Sequence, residues 1–346
     1  MRPADIQIIL EQEFLSVAEG HHTPVMLWGA PGVGKSQMIA QIAARHRAPV
    51  VDIRLSQMEP SDLRGIPFRS GDLVEWAVPA LLPDAHRHGA RGILFLDEIT
   101  SASPTVSAAA YQLILDRRLG EYRVPEGWAI FAAGNRQGDR GVVYAMPSPL
   151  ANRFSHLTVD VNIDDWAAWA FLAGMDERLI AFLRFRPELL FDFDPAQNPV
   201  VFPTPRSWEF AHRALRKFEG TPRLLPALQS VVGDAAGVEF KAYLDNLGRL
   251  PDLDAILRGD PAEVPDEIDL QYAVAAALIG RTARLAGPKR REALGHVLDY
   301  AGRFPLKEMG VMLVSDLSRA VGGDLFEVPQ FERWSALVAD VLLFTH

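Results

Sequence analysis

The chain has 346 residues, 49% of them hydrophobic and 23% charged, with a formal net charge of −9 and no cysteine. This length favours two domains over one small core, and the absent cysteines exclude disulfides and thiolate metal sites and fit a reducing, cytoplasmic setting. The acidic balance disfavours indiscriminate binding to phosphate backbones.

No apolar run approaches the roughly 20 residues needed to span a bilayer. The longest, at 272–279, is short and alanine-rich and reads as a buried helix. Asp5, Glu11 and Glu13 interrupt the place where the apolar core of a signal peptide would lie. In chain order, apolar runs at 25–28, 50–53, 93–96 and 129–133 are bounded by turn residues or charge. Continuous runs of this kind predict strands buried on both faces, hence a parallel sheet with helices on either side. Helices are predicted at 37–45 and 105–115, the second behind Ser103-Pro104, a cap followed by a first-turn proline. Between the second and third strands, 66–69 and 73–76 flank Ser70-Gly71-Asp72 and predict a small hairpin. A further extended piece at 120–124 precedes the fourth strand. Beyond about Asp164 the strand signals fade, and helices are predicted at 166–172, 177–185, 207–218, 239–247, 268–285, 290–301 and 331–344. Proline-rich breaks, notably 194–205, separate them. The expected organisation is an α/β core over 1–163 followed by a helical region over 164–346.

Gly29-Ala30-Pro31-Gly32-Val33-Gly34-Lys35-Ser36 matches G-x-x-x-x-G-K-[ST] between an apolar strand and a helix. Glycines let backbone N–H groups turn inward around an anion, and the helix behind them offers unpaired N–H groups and its positive dipole end. Lys35 then neutralises β/γ-phosphate charge, and the Ser36 hydroxyl is a ligand for Mg²⁺. The expected ligands are therefore ATP and Mg²⁺. A glycine-rich turn with an accidental lysine is the bland alternative, weakened by the strand–helix setting.

The run Ile93-Leu94-Phe95-Leu96-Asp97-Glu98 ends an apolar strand in two adjacent acids. Such carboxylates are costly there unless a cation or hydrogen bonds compensate. Behind a phosphate loop, Asp97 is expected to hold Mg²⁺ and Glu98 to orient and polarise the attacking water; a strand emerging into solvent is the alternative. Asn135 ends the next apolar strand, where its amide could hold the lytic water or the γ-phosphate opposite Lys35; otherwise it is a loop asparagine. His21 and His22 precede the first strand and read as surface or loop residues. No spaced His/Asp/Glu set suggests a metal site made of protein groups alone.

Together these residues resemble the AAA+ ATPases, and within them the MoxR group. The resemblance runs from Gly29 to Arg206, about half of the chain. It takes in the phosphate loop, the Asp97-Glu98 pair and Asn135, which matches the sensor-1 position. Pro147-Ser148-Pro149-Leu150-Ala151-Asn152-Arg153-Phe154 resembles the arginine-finger segment, and Thr204-Pro205-Arg206 the sensor-2 segment. The hairpin resembles the family's helix-2 insertion, and 120–124 its pre-sensor-1 element. One departure is Asn152, where the family commonly has aspartate before the finger arginine. The helices beyond roughly Leu250 carry no motif.

The resemblance implies an AAA+ core followed by an α-helical lid and a C-terminal helical region, in a ring usually of six identical subunits. It implies that Arg153 reaches a neighbour's nucleotide, and that Arg206 reaches the chain's own γ-phosphate from the lid. It also implies a chaperone-like remodelling ATPase that helps to mature partner complexes, acting with a protein that carries a von Willebrand factor A-type domain. A nucleic-acid-directed AAA+ motor, or a GTP-using restriction-type subunit, is the alternative; the acidic charge and the lack of a recognisable DNA-binding domain count against it. A chelatase-like subunit or a scaffold that rarely hydrolyses is a third reading, and Glu98 argues against the scaffold. Arg117 and Arg118 read either as further contacts across an interface or as a solvated helix end. Phe68 and Trp76 read as hairpin side chains packed on the core or, less simply, as pore or client contacts.

Overall fold

A computed structural model describes residues 1–136, 138–139, 144–194 and 200–339. Its contacts divide the chain into two units, one spanning Met1–Asn162 and the other Ile163–Asp194 together with the chain after Pro199.

The first unit runs α1 (Pro3–Ser16), β1 (Val25–Trp28), α2 (Lys35–Arg45), β2 (Val50–Arg54), α3 (Pro60–Arg64), β3 (Ile66–Ser70), β4 (Leu73–Ala77) and α4 (Ala85–His88). It continues with β5 (Arg91–Asp97), α5 (Pro104–Asp116), β6 (Arg118–Leu119), β7 (Tyr122–Arg123), β8 (Gly127–Gly134), α6 (Ser148–Ala151) and β9 (Ser155–Thr158). Five strands form one parallel sheet in the order β2-β5-β8-β1-β9. The four apolar runs are all strands of it. The fifth, β9, escapes the sequence reading because Ser155-His156-Leu157-Thr158 has one aliphatic residue in four; pairing with β1, not composition, makes it a strand.

The central strands β5 and β8 are buried almost throughout, as two-sided packing requires. β2 departs from that expectation. It lies at the sheet edge, and of its residues only Ile53 is buried. α5 opens on the Ser103 cap, whose Oγ accepts from the Val106 N–H, with Pro104 in its first turn. Its apolar face (Val106, Ala109, Ala110, Leu113, Ile114) packs into one cluster with Met26, Leu94, Leu96, Ile130 and Trp128. Trp128 closes tightly over β5: a Cβ on Gly92 would lie 2.7 Å from its ring.

The β3–β4 hairpin forms as expected, turning at Gly71 with φ of 64°. Its aromatics do not pack on the core. Phe68 and Trp76 are 46% and 45% exposed, and Ile66, Leu73 and Val74 are more exposed still. Pairing with each other satisfies the two strands without a third layer. The 120–124 piece is a two-residue-strand hairpin, β6–β7, turning at Gly120.

The second unit is helical among its described residues: α7 (Ile163–Leu172), α8 (Glu177–Phe185), α9 (Pro205–Phe218), α10 (Leu224–Val232), α11 (Asp234–Asn246), α12 (Leu253–Arg258), α13 (Ile268–Arg284), α14 (Gly287–Ala301), α15 (Lys307–Val321) and α16 (Gln330–Leu337). The sequence reading missed α10, α12 and α15. The predicted helix at 331–344 runs from Gln330 to Leu337, and 340–344 lie outside the described residues. One aromatic cluster joins Phe182, Trp208, Phe240 and Tyr243. Deeper in this unit the Arg184 guanidinium lies 2.5 Å from the Asp316 carboxylate and 2.8 Å from that of Asp164, tying α8 to α15 and α7. Burial pushes the Asp316 carboxyl up, and Arg184 opposes that shift. No helix among the described residues is long and apolar enough to cross a membrane.

Candidate nucleotide-binding and active site

The sheet reverses its build at β1. From β1 the chain crosses to the edge strand β2, returns through β5 and β8, and then adds β9 on the far side of β1. Ligands of open parallel sheets bind outside the carboxyl ends of the strands at such a switch point. The loop 29–34 leaves β1 there, flanked by the ends of β8 and β9.

Gly32 and Gly34 have φ of 79° and 95°, a left-handed backbone that residues with a Cβ rarely adopt. Gly34 is the residue before α2 and carries no side-chain cap. The first-turn N–H groups of α2 therefore face the loop's interior, the arrangement that receives phosphate. Gly29 is confined differently: a Cβ there would lie 3.2 Å from Val33 and 3.4 Å from Val159.

Lys35 turns back over the loop. Its Nζ donates to the carbonyls of Gly29 at 2.6 Å and Ala30 at 3.0 Å, and to Asn135 Oδ1 at 3.2 Å, so Asn135 stands beside Lys35 and not opposite it as expected. Ser36 Oγ donates to Asp97 Oδ2 at 2.9 Å, and Asp97 Oδ1 accepts the Glu98 N–H at 2.9 Å. The fold thus brings together Lys35 and Ser36 on α2, Asp97 at the end of β5, the adjoining Glu98, and Asn135 just past β8. Sequence separations of up to 100 residues collapse to hydrogen-bond distance.

Glu98 adopts φ 57°, ψ 32°, a left-handed conformation in a residue with a Cβ. Such strain collects at functional sites. Its carboxylate accepts from the Ser56 hydroxyl. Asn135 is held by Thr100, whose Oγ1 accepts the Asn135 N–H at 3.1 Å and donates to the Asn135 carbonyl at 3.4 Å. Gly134 is required there, since a Cβ would lie 2.7 Å from Thr100 and 2.8 Å from Met26. The sequence reading singled out neither Ser56 nor Thr100, because an isolated hydroxyl in a turn has no pattern. Asp52 on β2 was missed as well. Burial first, and the nearby Asp97 charge second, raise its carboxyl above the usual range.

Arg153 follows α6 and is exposed, without an ion pair to any described residue. Arg206 belongs to the helical unit and is exposed in the first turn of α9. The cap of that helix is a reciprocal pair, Thr204 with Ser207, so Arg206 does not supply it. Two further expectations are corrected. Arg117 is not a solvated helix end: its Nη2 donates to the carbonyls of Pro125 at 3.0 Å and Trp128 at 2.6 Å. His22 lies in a loop, as one reading had it, but not at the surface: its side chain is 5% exposed, with Nε2 accepting the Ile130 N–H at 2.9 Å and Nδ1 3.1 Å from the Glu13 carbonyl.

A left-handed glycine loop capping a helix, a lysine over it and a hydroxyl–carboxylate pair beside it define a P-loop nucleotide-binding unit. Hard oxygens from Ser36 and Asp97, brought together beside the phosphate loop, suit Mg²⁺. Residues 24–154 match the AAA domain (dynein-related subfamily). Over 24–154, then, the chain is similar to an AAA domain; its sheet has five parallel strands, and helices follow. Giardia intestinalis midasin is 32% identical over 146 residues, a match covering 40% of this chain but only 3% of midasin's length. Among solved structures, the Thermotoga maritima RuvB Holliday junction branch migration motor aligns over 98% of this chain and 86% of its own, at 16% identity and a TM-score of 0.36. A candidate ATPase from Cytophaga hutchinsonii aligns over 96% and 88%, at 12% identity and a TM-score of 0.34.

Proposed function

We propose that this protein hydrolyses ATP with Mg²⁺ and uses the cycle to remodel or mature a partner protein complex, in the manner of the MoxR group. The observation that carries the reading is the convergence of Lys35, Ser36, Asp97, Glu98 and Asn135 at the carboxyl ends of β1, β5 and β8.

In this reading the N–H groups of Ala30, Gly32, Val33 and Gly34 cradle the phosphates, Gly29 and Pro31, which has no N–H to offer, complete the loop, and Lys35 balances the charge. Ser36 and Asp97 hold the metal, which when bound neutralises charge on the β- and γ-phosphate oxygens. Glu98, steadied by Ser56, accepts the proton of the attacking water, and Asn135 orients that water or the γ-phosphate from the lysine side. Arg153 serves the nucleotide of a neighbouring subunit, where an arginine acting in trans contributes roughly 10³–10⁵ in rate. The exposed guanidinium beyond α6 is free to play that part. Arg206 senses the γ-phosphate from a helical lid, so that residues 1–163 act as the core and 164–346 as the lid and C-terminal helical region.

The same reading places the protein in the cytoplasm as a homo-hexameric ring, partnered by a von Willebrand factor A-type protein. Family resemblance supports both the ring and the partner, and the lack of cysteine fits the compartment. The test is phosphate release together with fluorescent-nucleotide binding. Lys35→Ala should lose nucleotide binding, whereas Glu98→Gln should retain ATP and stop turnover. A Glu98→Gln protein that releases phosphate at the parent rate would refute the assignment.

A further inference from the structure

Next to the phosphate loop lies a hydrogen-bonded chain that the reading above leaves unused. Trp28 is the last residue of β1, immediately before Gly29. In the β1–β9 register Met26 stands opposite His156 and Trp28 opposite Thr158. Trp28 and His156 are therefore diagonal neighbours on one face of the sheet, where large side chains still reach each other. Their rings lie 5.9 Å apart between centroids and within 20° of parallel. The Trp28 indole N–H donates to His156 Nδ1 at 2.8 Å.

An indole nitrogen can only donate, so His156 Nδ1 must be the acceptor. The ring's donor nitrogen is then Nε2. That nitrogen lies 2.8 Å from the Ala151 carbonyl and donates to it. Ala151 is the last residue of α6, and its carbonyl also accepts the Phe154 N–H at 3.2 Å. The turn between Ala151 and Phe154 carries Arg153. Phe154 pins one side of the turn by its burial and by an edge contact to His156. His156 pins the other through Ala151. A helix of four residues has little rigidity of its own, so these outside contacts decide where the turn sits.

We propose that His156 is a positioning residue, hydrogen-bonded between the Trp28 indole and the Ala151 carbonyl so that the Arg153 turn keeps its register with the phosphate loop of the same subunit. This rests on the shared-site reading of Arg153. In consequence, a shift of the loop at Gly29 moves Trp28, His156 and then the finger offered to the next subunit. Nucleotide state in one pocket thereby reaches the neighbouring pocket through three side chains.

Mixed assemblies test this with full-length protein. Lys35→Ala subunits supply fingers and Arg153→Ala subunits supply pockets, so their mixture should regain ATPase activity that each lacks alone. Co-assembly is checked by pull-down of differently tagged subunits. Adding His156→Ala to the finger-supplying subunit should cut the regained activity by roughly tenfold or more, the scale expected when a catalytic group is misplaced by about an ångström. The same change in the pocket-supplying subunit should leave it within about twofold. His156→Gln on the finger side should restore activity, because its amide can accept from Trp28 and donate to Ala151. His156→Phe keeps an aromatic ring in place without the hydrogen bonds, and replaces the alanine variant if that fails to fold.

Equal loss in both arms, or no loss in the finger arm, overturns the positioning role while leaving the shared site standing. No regained activity in the parent mixture despite co-assembly overturns the shared site itself, and with it this inference.

Discussion

Thr100→Val isolates one hydroxyl that the sequence does not advertise. Valine reproduces the shape of threonine, so the 3% exposed site keeps its packing and gains no cavity. What is lost is an acceptor for the Asn135 N–H at 3.1 Å and a donor to the Asn135 carbonyl at 3.4 Å. The second bond is long and contributes little. The first leaves a partly buried N–H unsatisfied, which costs about 1–3 kcal/mol. Stability measured by urea unfolding should fall by that amount.

Turnover should fall further. Asn135 Oδ1 meets Lys35 at 3.2 Å, and that contact depends on a backbone anchored by Thr100 and the end of β8. A displacement of about an ångström would lower phosphate release by ~10–100-fold. ADP affinity should change by less than about threefold, because the loop amides and Lys35 that grip the phosphates remain. A variant with parent-like turnover and an unchanged urea midpoint would show that Thr100 does not organise the site.

Acid should destabilise the nucleotide-binding unit through His22. Burial lowers its pKa, with the Glu13 carbonyl and charge opposing, and the bond from the Ile130 N–H requires the neutral ring. The unfolded chain takes up this proton in the ordinary histidine range while the folded chain resists it. Stability is therefore complete above that range and declines as pH falls toward the lowered folded value. His22→Gln should flatten this slope in urea midpoints taken across the window, and an unaltered slope would exclude His22 as its source. In the helical unit, Arg184→Met should cost up to about 3–5 kcal/mol by leaving the Asp316 carboxylate, which is 2% exposed, to the more exposed Arg319 at 3.3 Å. The double variant Arg184→Met/Asp316→Leu should recover most of that loss in thermal unfolding. A double variant no better than the single one would mean that shape, and not charge, holds α8 against α15.

Periodicity and local chemistry were enough to read four of the five strands, the glycine loop and the acid pair in the amino-acid sequence. Each is specified by neighbours in the chain. Gly32 and Gly34 announce a backbone only they adopt easily, and 93–96 announces burial by its unbroken apolar character. Those residues also carried the P-loop reading and the expectation of an α/β core followed by helices. Only the tertiary structure decided that Ser155–Thr158 is a strand, because pairing along β1 supplies what its polar composition does not. Only it showed His22 buried under Ile130, Arg117 turned inward onto two carbonyls, and the hairpin aromatics left in solvent. The same holds for Ser56 on Glu98, Thr100 on Asn135 and His156 between Trp28 and Ala151. A hydrogen bond between residues 35 to 128 positions apart leaves no periodic trace; it exists because parallel strands return distant segments to the same end of one sheet.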